Sequence, residues 1–258
     1  MTRTRLAISD AGATRSPAGA RLPLSATERT RHRRLRRLGR ADRAWLYAVL
    51  EAGLVAHLGV IIDGWPMVVP TVYGFDPDTL YLHGSVASQS LNTAGTDVCV
   101  TVTLTDGLVL ARSVFEHTIN YRSAMVYGRP RLVTDPAEKL TGLRCVTEHV
   151  APGQWDYARR PSRKELAAVR LLALPLEEAS VKIRTGPPDD AHGADAALGL
   201  WAGEVPLAVT WQQPVPDPDL PPGIPVPAHV SSRAGAVAQG QPPTGLARQP
   251  ARAHRRRS

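Results

Sequence analysis

The sequence predicts a mainly β protein whose antiparallel sheet closes into a small barrel with peripheral helices. Strand-length apolar runs are separated by compact turn signals such as Asp63-Gly64 and Asp76-Pro77-Asp78. Helical periodicity is confined to two or three short segments. Six or seven antiparallel strands leave two unpaired edges in an open sheet, and closure into a barrel removes them.

Composition divides the 258 residues into one domain and two tails. We expect a disordered basic tail over 1–25, a folded domain over 26–207, and a disordered Pro/Ala/Arg-rich tail over 208–258. The segment QQPVPDPDLPPGIPVP has no apolar period, so it lacks the buried surface that offsets the entropy cost of ordering.

The positive charge lies toward the two ends of the sequence, because residues 1–40 hold 11 Arg and residues 212–258 hold 6 Arg, whereas 41–211 have a balance of −5. The run RTRHRRLRRLGR (29–40) could contact phosphates. It has no interleaved aromatic residues for stacking on bases, so nucleic acid is an unlikely partner. A solvated or partly docked arm is the favoured interpretation.

The first half of the domain shows one helix followed by strands. Apolar residues at helical spacing over 42–52, behind Asp42 as N-cap, predict the helix. GLVAHLGVI and PMVVPTVYGF form a hairpin about Asp63-Gly64, and TLYLHG follows as the next strand. Asp106-Gly107 predicts a second hairpin, which joins VCVTVTL to LVLARSVF, and RSAMVYGRPRLV extends the sheet.

The second half returns from helix to strand. Asp135 as cap, Pro136 in the first turn and Glu138 as partner in a capping box predict a helix up to Val150. Ser162 and Glu165 stand in the same relation at a shorter helix. RLLALPL and EEASVKIR supply the last strands.

No common catalytic or targeting signature is present. The sequence lacks the GxGxxG, GxxxxGKS, GxSxG and HExxH patterns and any cluster of metal ligands, so we expect no metal site. Cys99 and Cys145 fit structural thiols. Without an apolar signal segment or an 18-residue apolar run, a cytoplasmic protein that does not contact a membrane is expected.

The order of several blocks resembles the pyridoxamine 5′-phosphate oxidase-like FMN-binding split-barrel superfamily. These blocks are PMVVPTVYGFDPDTLYLHGSVASQS, VCVTVTLTDGLVLARSVFEHTINYRSAMVYGRPRLVTDPAEK, SVKIRTGPP and WAGEVPL. Within it the sequence is most similar to the branch of nitroimidazole-resistance-type flavoproteins. The resemblance covers roughly 26–207 and implies a homodimer of six-stranded antiparallel split barrels, with FMN in two clefts at the dimer interface.

The resemblance also implies the residues that line each cleft. The strand YLHGS and the loop SVASQS would follow the ribityl chain and phosphate, with Gly84 allowing close backbone approach and hydroxyls as donors. PTVYG would run beside the isoalloxazine, and NYRSAMVYG would complete the cleft. The expected cofactor-binding residues are Pro70, Thr71, Val72, Tyr73, His83, Gly84, Ser85, Ser88, Gln89, Tyr121, Arg122 and Ser123.

His83 is the candidate catalytic residue, because relatives place a histidine near the reactive face of the flavin; packing is the alternative. Relatives also carry a cation after the loop serine, where this chain has Gln89 and Asn92. Arg122, or the arm around Arg31, Arg33 and Arg36, could then pair with the phosphate. Lys182 and Arg184 are interpreted as exposed strand charges, with an anion-binding role as the alternative.

The resemblance implies an FMN-dependent oxidoreductase acting on a small organic molecule. A flavin supplies the redox chemistry, and the protein supplies orientation and access. A non-catalytic flavin-binding or storage protein, and a split barrel that uses a deazaflavin or haem, remain as alternatives. A nucleic-acid binder acting through its arms is the weakest alternative.

Overall fold

The computed structural model describes residues 22–240, and these form one curled antiparallel sheet with few helices. Its ten strands are β1 Gly39–Arg40, β2 Val55–Ile62, β3 Trp65–Phe75, β4 Thr79–Ser85, β5 Val98–Leu110, β6 Thr118–Gly128, β7 Arg131–Leu132, β8 Val169–Pro175, β9 Glu178–Arg184 and β10 Gly203–Pro206. The helices are α1 Ala44–Ala52, α2 Pro136–Val150, α3 Gln154–Tyr157, α4 Arg163–Ala168 and α5 Ala228–Ser231.

The strands follow the spatial order β1-β9-β6-β5-β2-β3-β4-β8-β7, with β10 added beside β5. The prediction of a mainly β antiparallel fold is confirmed. The expectation of six or seven strands in a closed barrel is wrong. Three short strands extend the sheet, and across residues 22–240 its end strands β1 and β7 do not pair with each other.

The hairpin predicted at Asp63-Gly64 is confirmed. Both turn residues have positive φ, 51° and 83°, as a type I′ turn requires. β2 pairs over its whole length with residues 65–72 of β3, from Ile62 opposite Trp65 to Val55 opposite Val72.

The hairpin predicted at Asp106-Gly107 is wrong, because β5 runs straight through both residues. Thr105 pairs with Tyr121 and Gly107 with Asn120, so Asp106 is the extra residue of a β-bulge. Its carboxylate is bound by the buried Arg122 guanidinium at 2.7–3.1 Å. This ion pair fixes the side chain of the bulged residue against β6.

The caps predicted at Asp135 and Ser162 are confirmed, whereas the N-cap of α1 is Arg43 and not Asp42, whose side chain accepts from the Ala44 amide at 2.9 Å. Asp135 accepts a hydrogen bond from the Glu138 amide at 2.8 Å, with Pro136 in the first turn of α2. The Glu138 side chain pairs with Arg131 instead of completing a capping box. Ser162 and Glu165 do form both halves of a box at α4.

Two apolar cores flank the sheet. The larger lies inside the curl, where Leu46 and Leu50 of α1 meet inward residues such as Leu58, Val100 and Leu172. The smaller lies beneath α2, where Tyr81 and Leu171 pack with Val146.

The segments on either side of the barrel are also packed. Leu24 is 4% exposed, and the Ser25 amide donates to Ala179 O at 2.8 Å. Residues 208–240, here called the C-terminal segment, were expected to be disordered, yet backbone hydrogen bonds join Trp211 to Ala236 and Ala238 to Val209. Further hydrogen bonds join the segment to Arg122, Gln154 and Val150, and an apolar-period argument does not detect such polar contacts. The expected tails over 1–21 and 241–258 lie outside the described residues.

Among residues 22–240, no helix combines the length and the apolar character needed to cross a bilayer. Cys99 and Cys145 are both free thiols.

Candidate functional site

The candidate site is the place where β3 and β4 separate. The two strands pair only from Tyr73 opposite Leu82 to Phe75 opposite Leu80. Beyond Tyr73, β3 continues along β2, and beyond Leu82, β4 continues along β8. We call this opening the split; 70–72 of β3 form one side and 83–85 of β4 the other.

The sequence of β3 explains its free edge. Over 65–72 that edge has no strand partner among the described residues. Pro66 and Pro70 lie in this stretch, and proline lacks the N–H that a ladder partner needs, so it is found at sheet edges. The remaining backbone groups on this edge can bind a ligand or a second chain.

The helix α2 fixes the closed end of the split. A Cβ on Gly74 would lie 2.2 Å from the Val146 amide nitrogen, so only glycine lets α2 pack this closely on β3. The packing holds the last β3–β4 pairs together directly beside the opening.

His83 stands on the β4 side of the split and is half-buried. Its Nδ1 is buried and has no hydrogen-bond partner among the described residues. Burial lowers the pKa of His83 below the usual 6.5, which favours the neutral imidazole. A buried ring nitrogen without a partner fits a group that a bound cofactor would complete.

The loop after β4 presents the expected hydroxyls. Ser85 Oγ accepts from the Ala87 amide at 3.2 Å, and Ser88 Oγ lies 3.0 Å from Ser90 Oγ. Gln89 is exposed at the start of a 3-10 turn that ends at the buried Leu91. The hydroxyls of Ser85 and Ser88 contact their own loop, and these contacts orient them in the absence of a ligand.

Gly84 has a structural reason for lacking a side chain. A Cβ there would lie 2.6 Å from Leu91 Cδ1, so the loop packs directly beneath the strand.

The sequence reasoning missed a cation beside this loop. Arg170 lies opposite Gly84 on β8, and its Nη1 donates to Asn92 Oδ1 at 3.3 Å. In the sequence, the position of Arg170 directly before the apolar run LLALPL could have indicated a cation at the start of a strand. It provides positive charge where Gln89 and Asn92 do not.

The registers define a second surface, the outer face of β3, β2, β5, β6 and β9. Residues directly opposite in neighbouring strands share a face. One row across this outer face is Pro70, His57, Thr101, Met125 and Ser180.

The expected site residues divide between the two faces of the sheet. Strand alternation places Pro70 and Val72 on the outer face, together with Tyr121 and Ser123. Thr71 has the opposite orientation, so it contributes only backbone to the outer face.

Tyr73 belongs to the core. It is 0% exposed, and its hydroxyl donates to Leu50 O at 2.6 Å and Gly53 O at 3.0 Å. Its side chain therefore cannot reach a ligand on the outer face, although its backbone closes the split.

Arg122 does not serve as the expected phosphate partner. It is 4% exposed and points inward to Asp106, and its Nη2 also donates to Gln239 O and Gly240 O at 3.1 and 3.0 Å. The alternation of β6 explains this difference, because neighbours Tyr121 and Ser123 face outward. Arg184 is likewise engaged, by Asn120 Oδ1 and Gly186 O.

The basic arm folds onto the outer face. Residues 28–33, with β6 and β9, enclose a cleft of about 440 Å³, here called the arm cleft. Its lining comprises Glu28, Arg29, Thr30, Arg31, His32, Arg33, Tyr121, Ser123, Met125, Tyr127, Ser180 and Lys182. Within the described part of the chain, no group of His, Cys, Asp or Glu is arranged to hold a metal ion by itself.

Comparison with known proteins gives one family and several related structures. The family model described as pyridoxamine 5′-phosphate oxidase matches residues 42–183. No curated protein matches the chain.

Two related structures match over their full length. The flavocytochrome Anf3 of Azotobacter vinelandii is 38% identical, with a TM-score of 0.78 over 83% of this chain and 100% of its own. The FAD and haem binding protein of Mycobacterium smegmatis is 35% identical, with a TM-score of 0.75 over 79% of this chain and 100% of its own.

The expected proximity to nitroimidazole-resistance proteins is not supported. A 5-nitroimidazole antibiotic resistance protein of Bacteroides thetaiotaomicron is 23% identical, with a TM-score of 0.48 over 56% of this chain and 86% of its own. The two haem-associated structures resemble this chain more closely.

Proposed function

Because the chain belongs to the pyridoxamine 5′-phosphate oxidase-like superfamily of flavin-binding split barrels, we propose that it is a redox protein that binds FAD together with haem. This replaces FMN as the expected cofactor and develops the haem alternative. The supporting observation is the 38% and 35% identity to a flavocytochrome and to an FAD and haem binding protein, each matched over its full length.

The split supports flavin binding through its polar groups. The free β3 edge offers backbone groups to the polar rim of the ring system, and the loop of Ser85 and Ser88 offers hydroxyls. Arg170 adds a positive charge beside this loop. A bound flavin supplies electron-transfer chemistry, while these residues hold and orient it.

Two histidines support haem binding near the same place. His57 lies opposite Pro70 on the outer face, and His83 lies across the split with its buried Nδ1 unpartnered. Neutral imidazole is a common haem ligand in proteins. A cluster of three or more protein ligands is not needed, because the porphyrin of haem supplies the other ligands of the iron.

The absorption spectrum of the full chain, with masses of the released cofactors, tests the proposal. Flavin bands with a Soret band and the mass of FAD are expected. Flavin bands alone, with the mass of FMN, would restore the simpler FMN-dependent reductase. A protein that takes up neither flavin nor haem when both are supplied contradicts the proposal.

Single variants then assign the histidines. His57→Ala or His83→Ala should remove the Soret band if that residue binds the iron, and should shift the flavin bands if it contacts the ring. Asn92→Ala is the control, because it borders the loop without an imidazole. Unchanged spectra for both histidine variants would exclude these residues from the site.

Steady-state oxidation of reduced pyridine nucleotide, with a panel of small organic acceptors and with oxygen, tests enzymatic activity. Turnover supports an oxidoreductase. Cofactor binding without turnover supports the storage alternative.

We also propose that the chain works as a homodimer joined through the β2–β3 edge. Ile61, Trp65 and Val68 are 62%, 76% and 66% exposed along one edge of the sheet. Exposed apolar side chains concentrated on one hairpin fit a site of protein–protein contact. A second copy on this surface would cover the split and exclude water from it.

A further inference from the structure

We propose that the arm cleft binds the adenosine diphosphate half of FAD and so selects FAD over FMN. This inference rests on the proposed function. It assigns a ligand to a cleft lined by the basic arm, which the sequence predicted to be solvated or partly docked.

The position of the cleft fits a cofactor that begins at the split. The row Pro70, His57, Thr101, Met125 and Ser180 crosses from the β3 edge to the cleft lining without leaving the outer face. Three strand spacings separate β3 from β6, about 14 Å at the usual interstrand distance. In this proposal the flavin tail runs from the split across β5 toward the cleft, on the side of β3 away from the loop of Ser85 and Ser88.

The polar groups along this path suit a pyrophosphate. Thr101 and Thr103 project from β5, and Thr103 Oγ1 lies 3.2 Å from Ser123 Oγ on β6. Threonine and serine hydroxyls donate to phosphate oxygens without a charge of their own.

The charge of the cleft suits an anion. Arg29 is neutralised by Asp97 and Glu178 at 3.1 and 2.5 Å. Arg31 and Arg33 share one carboxylate, that of Glu28, at 3.2 and 2.8 Å.

Lys182 adds a further positive charge on β9. Its Nζ donates only to the carbonyl of Arg34, at 3.2 Å, and faces no carboxylate within the described contacts. The lining therefore carries a surplus of positive charge after its ion pairs are counted.

An aromatic ring is also available for adenine. The Tyr127 ring is covered by the Arg29 guanidinium at 5.6 Å, whereas Tyr121 lines the cleft without such a cover. Base stacking on an aromatic side chain is a common way to hold a nucleotide. FMN lacks adenosine, so only FAD would use these groups.

The test measures the dissociation constants of cofactor-free full-length protein for FAD and for FMN. Lys182→Gln removes a positive charge but keeps a donor for the Arg34 carbonyl. We expect it to weaken FAD binding about tenfold or more, the usual effect of losing a hydrogen bond to a charged group. FMN binding should be unchanged.

A second variant tests whether removal of a negative charge strengthens FAD binding. Glu28→Gln removes the only carboxylate in the cleft lining, so FAD should bind more tightly while FMN stays constant. Arg144→Gln on the exposed face of α2 removes an equivalent charge away from the cleft and should alter neither constant.

The outcomes separate this inference from the proposed function. Equal changes for FAD and FMN, or no change for either, overturn the inference and leave flavin binding at the split in place. Loss of haem without a change in FAD binding also overturns it, because the cleft would then hold the other cofactor. Wild-type protein that binds neither flavin contradicts both.

Discussion

Tyr73 stabilises the junction of α1 and β2 from inside the core. Its buried hydroxyl donates to the carbonyls of Leu50 and Gly53, and burial raises the pKa of its phenol well above the usual 10.0. A phenolate is therefore not available for chemistry at this position.

Tyr73→Phe leaves two buried carbonyls without this donor and should lower the free energy of unfolding by about 1–3 kcal/mol. Urea denaturation measures the change, and flavin occupancy should stay the same. Tyr47→Phe is the control, since the Tyr47 hydroxyl donates to Pro77 O in an exposed setting. Loss of flavin with unchanged stability would return Tyr73 to the binding site.

Three histidines make stability depend on pH. Burial is the largest cause of the lowered pKa values of His32, His83 and His149, which all fall below 6.5. The unfolded chain then binds more protons than the native chain as pH falls through 6.5, so stability decreases.

We expect the urea midpoint to be lower at pH 5.5 than at pH 7.5. His149→Gln keeps a donor for Gly53 O, at 2.8 Å in the native chain, and should flatten this dependence. Carboxylates with lowered pKa values, such as Glu178, lose their contribution to stability only below pH 5.5. They therefore do not affect the comparison between pH 5.5 and pH 7.5. A midpoint that rises on acidification would contradict the assignment.

For individual residues, the sequence predicted which side chains lie near the site better than it predicted which face of the sheet they point to. It placed Tyr121, Arg122 and Ser123 together, but strand alternation sends Arg122 inward to a carboxylate contributed by a bulge. Arg170 escaped notice because only the β4–β8 register brings it beside the serine loop.

At the scale of elements, β5 shows why a local turn signal can mislead. Asp-Gly favours a hairpin by itself, yet pairing with β6 and β10 on either side keeps β5 extended. The hairpin at Asp63-Gly64 was predictable because no third strand competes at that turn. The turn propensity of a dipeptide determines its conformation only where no tertiary contact opposes it.

Gly107→Ala tests this explanation. An added Cβ would lie 2.6 Å from Val205 O, so β10 would have to shift, with an expected loss of about 1–3 kcal/mol. Gly186→Ala is the matched control, because Gly186 also has a positive φ, 98°, but nothing lies within 4 Å of its Cβ position. Equal effects in thermal unfolding would show that β10 does not constrain the bulge.

At the scale of the whole molecule, the barrel depends on the chain that follows it. The C-terminal segment covers the Asp106–Arg122 ion pair and reaches α2, where Arg233 Nη2 donates to Val150 O at 2.8 Å. His229 also meets Gln154 of α3, 2.9 Å away.

A chain that ends at Leu207 should therefore be less stable than one that ends at Gly240, which keeps every described contact. Uncovering the ion pair removes two hydrogen bonds from Arg122, and we expect a loss of about 1–3 kcal/mol or more in urea denaturation. Equal stability would indicate that the segment only rests on the surface.

The homodimer leads to a second prediction at this scale. Val68→Asp places a charge on the proposed interface and should convert dimer to monomer in light scattering, with loss of bound flavin. Val215→Asp is the control, since Val215 is 91% exposed and far along the chain from this edge. A Val68→Asp protein that remains dimeric would remove this surface from the proposal.

The cover over Arg122 also affects the order of events during synthesis. Ribosomes deliver the strands β1 to β10 first, and the carbonyls of Gln239 and Gly240 emerge only after all of these strands. Until then the guanidinium and its carboxylate partner stay open to water on the nascent chain. Final closure of the domain must therefore wait until residue 240 has left the ribosome.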